Sequence, residues 1–353
     1  MIIVNARFLT QTLTGVQRYA IEISLQLKKL AGDEVCFVAP RNIIHQSIAE
    51  QLEVEKVGTH TGHLWDQLDL PMFLKKKGFP LLLCLCNTAP ICYRNKIVVI
   101  HDVAYKAYPQ TYSKSFLWFY RFMIPKIIHT SRHLITVSEF SKQELIKYYR
   151  IKEDKLTVVY NAVSGLFCKK DDSEQTLVPY LLAVSSLNYR KNFLAVLKAF
   201  QIFESNDQNT FLYIIGDIKN KNFKGLNIES YKRNKRIKFL GRVSDAELVK
   251  YYRNAIGFVY PSLYEGFGIP PLEAQNCACP VLCADIPPLR EVFGDSAIYC
   301  NPFSVEDIAK KMHMLASGEK NALIERGNHN IMRYSWEKSA IKMLEVVNEY
   351  KLY

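Results

Sequence analysis

Short apolar runs alternate with longer stretches of helical periodicity along almost all of the 353 residues. This alternation is typical of βα units that build a mostly parallel sheet. The first series of predicted strands comprises Ile2–Val4, Val35–Val38, Leu81–Leu85, Ile97–Ile100, Leu134–Val137 and Leu156–Val159. The second comprises Tyr180–Val184, Phe211–Ile215, Ile237–Leu240, Gly257–Tyr260, Val281–Ala284 and Ala297–Tyr299. The chain is therefore predicted to be an α/β protein with two Rossmann-like, doubly wound domains.

A polar stretch of mixed charge at residues 169–176 separates the two series and is typical of a linker. We expect an N-terminal domain over residues 1–165 and a C-terminal domain over 175–334. A last helical pattern at 335–353 would return to the first domain. Because doubly wound sheets bind ligands beyond the carboxyl ends of their strands, the two domains should face each other across a cleft of strand-end loops.

The balance of charge points to an anionic partner. The net charge is +12, with a surplus of 8 in residues 1–165 and of 4 in the remainder. Nucleic acid, a lipid surface and a phosphorylated small molecule all fit this excess. The basic residues are spread along the chain and form no nucleic-acid-binding motif, which argues against nucleic acid.

Cysteine usage and the length of the apolar runs indicate the compartment. The nine cysteines include no C-x-x-C pair, as expected for reduced thiols in a cytoplasmic protein. The N-terminus lacks the apolar core of a signal peptide, and the apolar runs fall far below the ~18 residues of a spanning helix. We therefore expect a cytoplasmic protein that is soluble or peripheral to a membrane.

The stretch from Tyr260 to Glu273, Tyr-Pro-Ser-Leu-Tyr-Glu-Gly-Phe-Gly-Ile-Pro-Pro-Leu-Glu, carries the clearest chemical signal. Two carboxylates, Glu265 and Glu273, are separated by seven residues, and glycines flank Phe267. Glycine allows backbone amides to approach a ligand closely, and the N-terminus of a following helix favours an anion. Proline suits the first turn of such a helix, because the amides there have no partner within the helix.

This stretch, together with Cys279-Pro-Val-Leu and Gly294-Asp-Ser-Ala-Ile-Tyr, resembles the signature of retaining nucleotide-sugar glycosyltransferases of family 4, which have the GT-B fold. Further matches span nearly the whole chain. They are Thr14-Gly-Val-Gln-Arg-Tyr, Val99-Ile-His-Asp, Thr136-Val-Ser-Glu-Phe-Ser, Val158-Val-Tyr-Asn-Ala, Arg190-Lys-Asn and Phe239-Leu-Gly-Arg.

The resemblance implies a role for each matched residue. It implies that His101 and Glu265 act at the reacting centre, and that Glu273 holds the nucleotide ribose. The donor diphosphate would be bound by Gly15, Arg190 and Lys191, whose cations would also stabilise the charge that grows on the leaving group. The donor sugar would be contacted by Asp102, Gly266, Phe267, Gly268 and Ile269. Ser185-Ser186 departs from the family, whose members often carry glycine near position 186.

The chemistry expected from the resemblance needs no cofactor and no metal. No D-x-D triplet occurs in the chain, so cations and helix dipoles would take the place of a divalent ion on the diphosphate. A retaining reaction could proceed by double displacement on Glu265 or Asp102. The resemblance favours front-face attack, in which the leaving phosphate accepts the proton of the acceptor.

Three features are similar to those of bacterial mannosyl- and rhamnosyltransferases that build O-antigen or capsule: the Arg7-Phe-Leu start, the Thr14-Gly-Val-Gln-Arg-Tyr turn and the His101-Asp102 pair. A GDP-sugar such as GDP-mannose is therefore the expected donor, and a UDP-sugar is the alternative. The expected acceptor is a polyprenyl-diphosphate-linked glycan. Two other readings remain open: a sugar-nucleotide epimerase, and a sugar-nucleotide-binding protein without turnover.

Aromatic and cationic residues interleave between Tyr112 and His129, and Lys75, Lys76 and Lys77 precede them in the same domain. This pattern is consistent with a peripheral face on an anionic membrane. It is also consistent with a buried helix between two strands, which the many apolar residues favour.

Overall fold

A parallel sheet of seven strands organises the first half of the chain in this computed structural model, in the order β3-β2-β1-β4-β5-β6-β7. Its strands are β1 (Ile2–Asn5), β2 (Val35–Ala39), β3 (Glu55–Lys56), β4 (Leu81–Cys84), β5 (Lys96–Val99), β6 (His133–Thr136) and β7 (Leu156–Val158). The inner strands are buried along their whole length, as expected where helices cover both faces of a parallel sheet.

Seven helices connect or flank these strands in the part that the structure describes. They are α1 (Gly15–Ala31), α2 (Gln46–Gln51), α3 (Gly62–Leu64), α4 (Leu70–Lys76), α5 (Ala104–Ala107), α6 (Lys114–Thr130) and α7 (Glu139–Tyr149). A π-helical segment, Trp65–Asp69, joins α3 to α4.

A second parallel sheet has six strands in the order β10-β9-β8-β11-β12-β13. Its strands are β8 (Tyr180–Val184), β9 (Phe211–Ile215), β10 (Ile237–Gly241), β11 (Gly257–Tyr260), β12 (Val281–Ala284) and β13 (Ile298–Cys300). The helices that follow are α8 (Phe193–Glu204), α9 (Ile228–Lys232), α10 (Asp245–Asn254), α11 (Ile269–Asn276), α12 (Pro287–Phe293), α13 (Val305–Ser317), α14 (Lys320–Ile331) and α15 (Trp336–Lys351).

The chain divides into unit 1, Met1–Asn161 with Ser335–Tyr353, and unit 2, Ala162–Tyr334. The structure describes residues 1–168, 178–184, 189–216, 228–318 and 320–351. The linker expected at 169–176 and the Ser185-Ser186 pair lie outside these ranges. The division after Asn161 comes slightly earlier than the boundary expected from composition.

Helix α15 packs within unit 1. The ring of Trp336 meets Tyr19 of α1 edge-on, with centroids 5.7 Å apart. Ser339 donates a hydrogen bond to the carbonyl oxygen of Tyr160 at 2.7 Å, and the Tyr350 hydroxyl lies 2.9 Å from Nδ1 of His133. These contacts hold the last helix against α1, β6 and the end of the first series of strands.

In each sheet the direction of strand addition reverses once. In the first sheet this switch lies between β1 and β4, and in the second between β8 and β11. Loops leave a switch point in opposite directions, which opens a crevice at the carboxyl ends of the two strands. The residues that follow these four strands are therefore the first place to look for a site.

The two parallel Rossmann-like sheets predicted from the sequence are confirmed, and each of the twelve predicted strands is present within one residue at either end. Strand β3 was missed. Its two residues, Glu55 and Lys56, are exposed and charged, so no apolar run marks it.

Candidate active site

The loops that follow β8 and β11 are bonded to each other at the switch point of the second sheet. Leu263 donates its backbone N–H to the carbonyl oxygen of Arg190 at 2.8 Å. The side-chain amide of Asn192 donates to the carbonyl oxygens of Pro261 and Pro302, at 3.0 and 2.6 Å. Asn192 has a left-handed backbone, with φ of 56°, and caps α8. These bonds fix the short 3₁₀ turn, Tyr189–Lys191, that carries the two expected phosphate-binding cations.

Both cations converge on one carboxylate. Nζ of Lys191 lies 2.6 Å from Oε1 of Glu265, and Nη1 of Arg190 lies 3.3 Å from Oε2. Arg190 also donates to the carbonyl oxygen of Tyr264 at 2.7 Å. The structure thus brings together Arg190, Lys191 and Glu265, which the sequence assigned separately to the diphosphate and to the reacting centre.

Tyr260, the last residue of β11, completes this cluster. Its hydroxyl donates to Oε1 of Glu265 at 2.8 Å and accepts from Nζ of Lys191 at 2.6 Å. Lys191 also lies 5.0 Å from the centroid of the tyrosine ring. A tyrosine at the end of an apolar strand is typical of a core residue, so this hydroxyl was not predicted from the sequence to belong to the site.

The buried cluster keeps Glu265 ionised. Burial alone would raise the pKa of this carboxyl, but the charges of Lys191 and Arg190 outweigh burial and hold the pKa at about 2. The pKa of Tyr260 is raised well above its usual value, first by burial and then by the negative charge of Glu265. At neutral pH the site therefore contains one carboxylate, two cations and a protonated phenol.

The loop between Glu265 and α11 requires glycine at position 268. Its φ is 106°, and a Cβ added there would lie 2.7 Å from Cδ2 of Leu289 and 3.2 Å from Cε2 of Phe293. Phe267 is buried and meets the Tyr334 ring edge-on at 5.3 Å, so its side chain belongs to the core. Gly266 and Ile269 flank Phe267 and Gly268 in the chain, and α11 begins at Ile269, as the sequence predicts.

Glu273 is buried on α11, close to a second tyrosine. The hydroxyl of Tyr252, on α10, donates to Oε2 of Glu273 at 3.4 Å. The two glutamates of the motif thus differ in setting: Glu265 is in a loop with two cations, and Glu273 is on a helix beside a phenol.

His101 lies in unit 1, two residues beyond the carboxyl end of β5. Its Nε2 lies 2.9 Å from the carbonyl oxygen of Leu85, and its ring meets Tyr19 edge-on at 4.7 Å. Burial lowers the pKa of His101, so the ring is neutral at pH 7. Because a carbonyl only accepts, Nε2 carries the proton, and Nδ1 is the nitrogen that can accept a hydrogen bond from a ligand.

The two remaining predicted residues of unit 1 lie at loop ends. Asp102 accepts a hydrogen bond from the backbone of Ala104 at 2.9 Å, which shapes the turn after His101. Gly15 is exposed and is the first residue of α1, after the extended Thr14. Both follow carboxyl ends of strands, as expected for a site at this edge.

A buried ion pair that sequence reasoning missed lies at the switch point of the first sheet. Nε of Arg7 lies 2.7 Å from Oδ2 of Asp66, which has no exposed side-chain surface. Asn5 donates to Oδ1 of Asp66 at 2.9 Å, and Nη2 of Arg7 donates to the Thr88 hydroxyl at 2.8 Å. The Asn-x-Arg sequence at the end of β1 was a usable signal, but the π-helical position of Asp66 could not be predicted from the sequence.

An open cavity of about 520 Å³ lies beyond the ends of β12 and β13 and contains none of the predicted residues. Its lining consists of Asp285, Ile286, Arg290, Tyr299, Cys300, Asn301, Pro302, Phe303, Asp307 and Lys311. Arg290 is held there by two bonds of 2.7 Å to Asp285 and lies 3.6 Å from the centroid of the Tyr299 ring. The carbonyl of Pro302, bonded to Asn192, connects this cavity to the loop that carries Arg190 and Lys191.

Three further findings concern metal binding, the cysteines and the length of the helices. Among the described residues, no group of three or more His, Cys, Asp or Glu side chains is arranged to hold a metal ion. All nine cysteines are free thiols. Across the described ranges, every helix is too short or too polar to span a lipid bilayer.

Comparison with known proteins agrees with the residues above. Residues 13–164 match the family model described as Glycosyltransferase Family 4, and residues 167–329 match the one described as Glycosyl transferases group 1. The O-antigen chain mannosyltransferase RfbU of Salmonella typhimurium is 26% identical over 95% of this chain and 96% of its own length. The O-antigen chain mannosyltransferase B of Escherichia coli is 28% identical over 72% of this chain and 70% of its own.

Solved structures show the same fold. The crystal structure of Anabaena HepE in complex with UDP and glucose has a TM-score of 0.76 and 16% sequence identity, over 99% of both chains. The structure of WaaG, a glycosyltransferase involved in lipopolysaccharide biosynthesis, has a TM-score of 0.74 over 98% of this chain and 99% of its own. With two Rossmann-like units and family models that match both halves, the chain is a hexosyltransferase that belongs to glycosyltransferase family 4 and has the GT-B fold.

Proposed function

We propose that the enzyme transfers a hexose, with retention of configuration and without a metal ion, from a nucleoside-diphosphate sugar to a lipid-linked glycan acceptor in O-antigen, capsule or lipopolysaccharide synthesis. The observation that carries this proposal is the convergence of Lys191 and Arg190 on the buried Glu265. Two fixed cations at the end of a parallel strand are suited to a diphosphate, and the adjacent carboxylate is suited to sugar hydroxyls.

Each unit has a proposed role. Unit 2 would bind the donor, with Arg190 and Lys191 on the diphosphate, Glu265 and the 266–269 backbone at the sugar, and Glu273 at the ribose. Unit 1 would bind the acceptor and supply Gly15, His101 and Asp102 to the donor. A neutral His101 whose Nδ1 accepts a hydrogen bond suits a sugar hydroxyl better than an imidazolium would.

The proposed reaction is a front-face substitution. The bond from the anomeric carbon to the β-phosphate oxygen breaks while a bond to the acceptor oxygen forms on the same face, and the acceptor proton passes to the leaving phosphate. Arg190 and Lys191 would stabilise the charge that grows on that phosphate. Glu265 is fully ionised and engaged by both cations, which suits an electrostatic role better than that of an attacking nucleophile.

GDP-mannose or a related GDP-sugar is the proposed donor. The names of the Salmonella and Escherichia relatives, both O-antigen chain mannosyltransferases, support it. A UDP-sugar is the alternative, supported by HepE, whose crystal structure contains UDP and glucose. Thermal-shift titration with GDP and UDP distinguishes the two, because a nucleotide that binds only the folded state raises the unfolding temperature. Stabilisation by UDP alone would reject the GDP-sugar proposal.

Turnover tests the function itself. Release of nucleotide from GDP-mannose, measured with and without a membrane extract as the source of acceptor, should be present in the wild type and lost in E265Q. Activity should persist in excess EDTA; loss in EDTA with recovery in Mn²⁺ or Mg²⁺ would contradict the metal-free proposal. Nucleotide binding without release or transfer would instead indicate a sugar-nucleotide-binding protein without turnover.

The proposed site of action is the cytoplasmic face of the inner membrane, since a polyprenyl-diphosphate-linked acceptor resides in a bilayer. Fractionation of cells into cytosol and membranes, followed by a salt wash, tests this location. A peripheral enzyme should leave the membrane fraction at high salt.

A further inference from the structure

Helix α6 has two faces with different surroundings. Met123, Ile124, Ile127 and Ile128 are buried in the core of unit 1. On the other side, Trp118 is 73% exposed and Phe122 48% exposed, one helical turn apart with their rings stacked. The sequence allowed this segment to be either a buried helix or a peripheral membrane face, and each alternative describes one side of it. The inner face is core, and the outer face presents large aromatic rings to solvent.

A second exposed apolar stripe lies on the neighbouring helical segment, residues 62–76. Leu64, Leu68 and Met72 follow one another at spacings of four and are 61%, 46% and 57% exposed. The two segments meet where the His63 ring contacts Phe119 of α6, with centroids 4.5 Å apart. Isolated exposed apolar residues are ordinary, but five on two contacting helical segments are typical of an interaction surface.

The exposed lysine and arginine side chains of these two segments are not matched by exposed acidic side chains on the same segments. Helix α6 contains no acidic residue, and Lys114, Arg121 and Lys126 are exposed among its aromatic rings. Nζ of Lys126 lies 3.6 Å from the centroid of the Phe122 ring. The segment at 62–76 ends in the exposed Lys75 and Lys76.

The two acids of the 62–76 segment do not offset this charge at the surface. Asp66 is buried and paired with Arg7, and Asp69 is buried and lies 2.8 Å from Nδ1 of His60. Aliphatic and aromatic side chains surrounded by lysine and arginine match the interfacial region of an anionic bilayer, where apolar groups enter the lipid and cations meet phosphate.

We propose that these two stripes, Leu64, Leu68, Met72, Trp118 and Phe122 with their flanking cations, form the membrane-docking face of unit 1, and that its partner is an anionic phospholipid bilayer. The inference deepens the proposed function and rests on it for the reason to dock, because a lipid-linked acceptor requires an enzyme at the bilayer surface. Docking itself requires neither donor nor acceptor.

Tryptophan fluorescence provides a direct test in the wild-type protein. The chain has three tryptophans, and Trp65 and Trp336 are buried whereas Trp118 is exposed. Vesicles of phosphatidylglycerol and phosphatidylcholine should shift the emission to the blue, and brominated lipids should quench it. Vesicles of phosphatidylcholine alone should do so far less. W118F should bind the vesicles but lose the shift.

Co-sedimentation with the same vesicles measures affinity. W118S/F122S and L64S/M72S should each bind at least about 10-fold more weakly, and R121Q/K126Q about 10- to 30-fold more weakly at low salt. The matched control is F303S, which removes a 75% exposed phenylalanine in unit 2 and should leave binding unchanged. All substituted side chains face solvent, so the unfolding temperature should hardly change.

Three results would overturn the inference: no sedimentation of the wild type with anionic vesicles at low salt, equal binding by the patch variants and F303S, or a concentration-dependent dimer that W118S/F122S abolishes. A failure of this inference can be distinguished from a failure of the proposed function. Nucleotide release from GDP-mannose in vesicle-free buffer should be unchanged in W118S/F122S, so loss of docking with retained release isolates the membrane face from the transfer chemistry.

Discussion

Lys191 and Glu265 are 74 residues apart in the chain, yet Nζ of Lys191 lies 2.6 Å from Oε1 of Glu265 in a site with little access to solvent. The two residues follow β8 and β11, which are adjacent in the sheet and flank its switch point. In this structure the carboxylate is thus the counter-ion of the cations that we assign to the diphosphate.

Breaking this pair from one side should cost more than removing both partners. K191M removes the nearer of the two cations from the buried carboxylate, and should lower the free energy of unfolding by about 3 kcal/mol. In urea unfolding of K191M, E265Q and the double variant, we expect a coupling energy of about 1 to 3 kcal/mol. Strictly additive losses would mean that the contact contributes nothing to folding. K191M should also lower kcat/KM for nucleotide release at least about 100-fold.

Tyr260 should act as a positioning residue for Glu265 and Lys191. Y260F removes the hydroxyl that bonds both groups but leaves the ring, so we expect a loss of about 1 kcal/mol in unfolding free energy. If the hydroxyl orients the pair, kcat should fall about 10-fold while the donor KM changes less. The matched control is Y252F, which removes the hydroxyl beside Glu273 and should raise the donor KM instead. Equal effects of both variants on kcat and KM would argue for a purely structural role.

The low pKa of Glu265 predicts an acid-dependent loss of stability. Because its pKa is about 2 in the folded protein and about 4.3 in the unfolded chain, the unfolded state binds the extra proton between these values. The contribution of the carboxylate is complete above about pH 4.5 and is lost as the pH falls towards 2. The difference in unfolding free energy between the wild type and E265Q should therefore shrink over this window. A difference independent of pH would contradict the assignment.

His101 predicts an effect in a different pH range. Burial lowers its pKa, so the unfolded chain takes up a proton near pH 6.5 that the folded protein does not. The free energy of unfolding should fall as the pH drops below about 6.5. H101Q should reduce the slope of this free energy against pH by the equivalent of up to one bound proton. H133Q is a matched comparison, because burial also lowers the pKa of His133, in this case to about 4. His133 lies at the amino end of β6, whereas the site lies at the carboxyl ends of the strands. Only H101Q should also impair nucleotide release.

Gly268 should be the least replaceable glycine of the motif. In G268A the new methyl group would meet Leu289 at 2.7 Å on a backbone with φ of 106°, so we expect a loss of about 2 to 4 kcal/mol. G294A is the control, since its φ of 50° is also positive but no atom lies within 4 Å of the added Cβ. It should cost about 1 kcal/mol. Comparable melting temperatures for the two variants would show that the steric argument is wrong.

The predictable parts of the structure depend on local patterns. Apolar runs mark β8 and β11 because buried parallel strands are apolar throughout. The glycines and prolines before α11 mark its start for the same kind of local reason. Glu265 could therefore be located at a strand end from the sequence alone.

What the sequence could not predict depends on partners distant in the chain. Nothing in the local sequence distinguishes Arg7 from other basic residues, and only the fold brings Asp66 to it. Tyr260 is likewise not distinguished from other strand residues, and only the fold places Lys191 and Glu265 beside its hydroxyl. Helix α6 shows a related limit. Its composition fits both a core helix and a surface helix, and only the packing of Ile124 against the sheet reveals which face Trp118 occupies.

The return of α15 to unit 1 determines the order in which the protein can mature on the ribosome. The ring behind His101 is Tyr19, and Tyr19 is covered in turn by Trp336. All of unit 2 is translated between these two aromatic residues, so nascent unit 1 has an uncovered tyrosine behind His101 until residues 336–351 have been synthesised. A stalled or proteolytically clipped product without α15 would therefore leave Tyr19, the ring that contacts His101, without the cover of Trp336, even with an intact second unit.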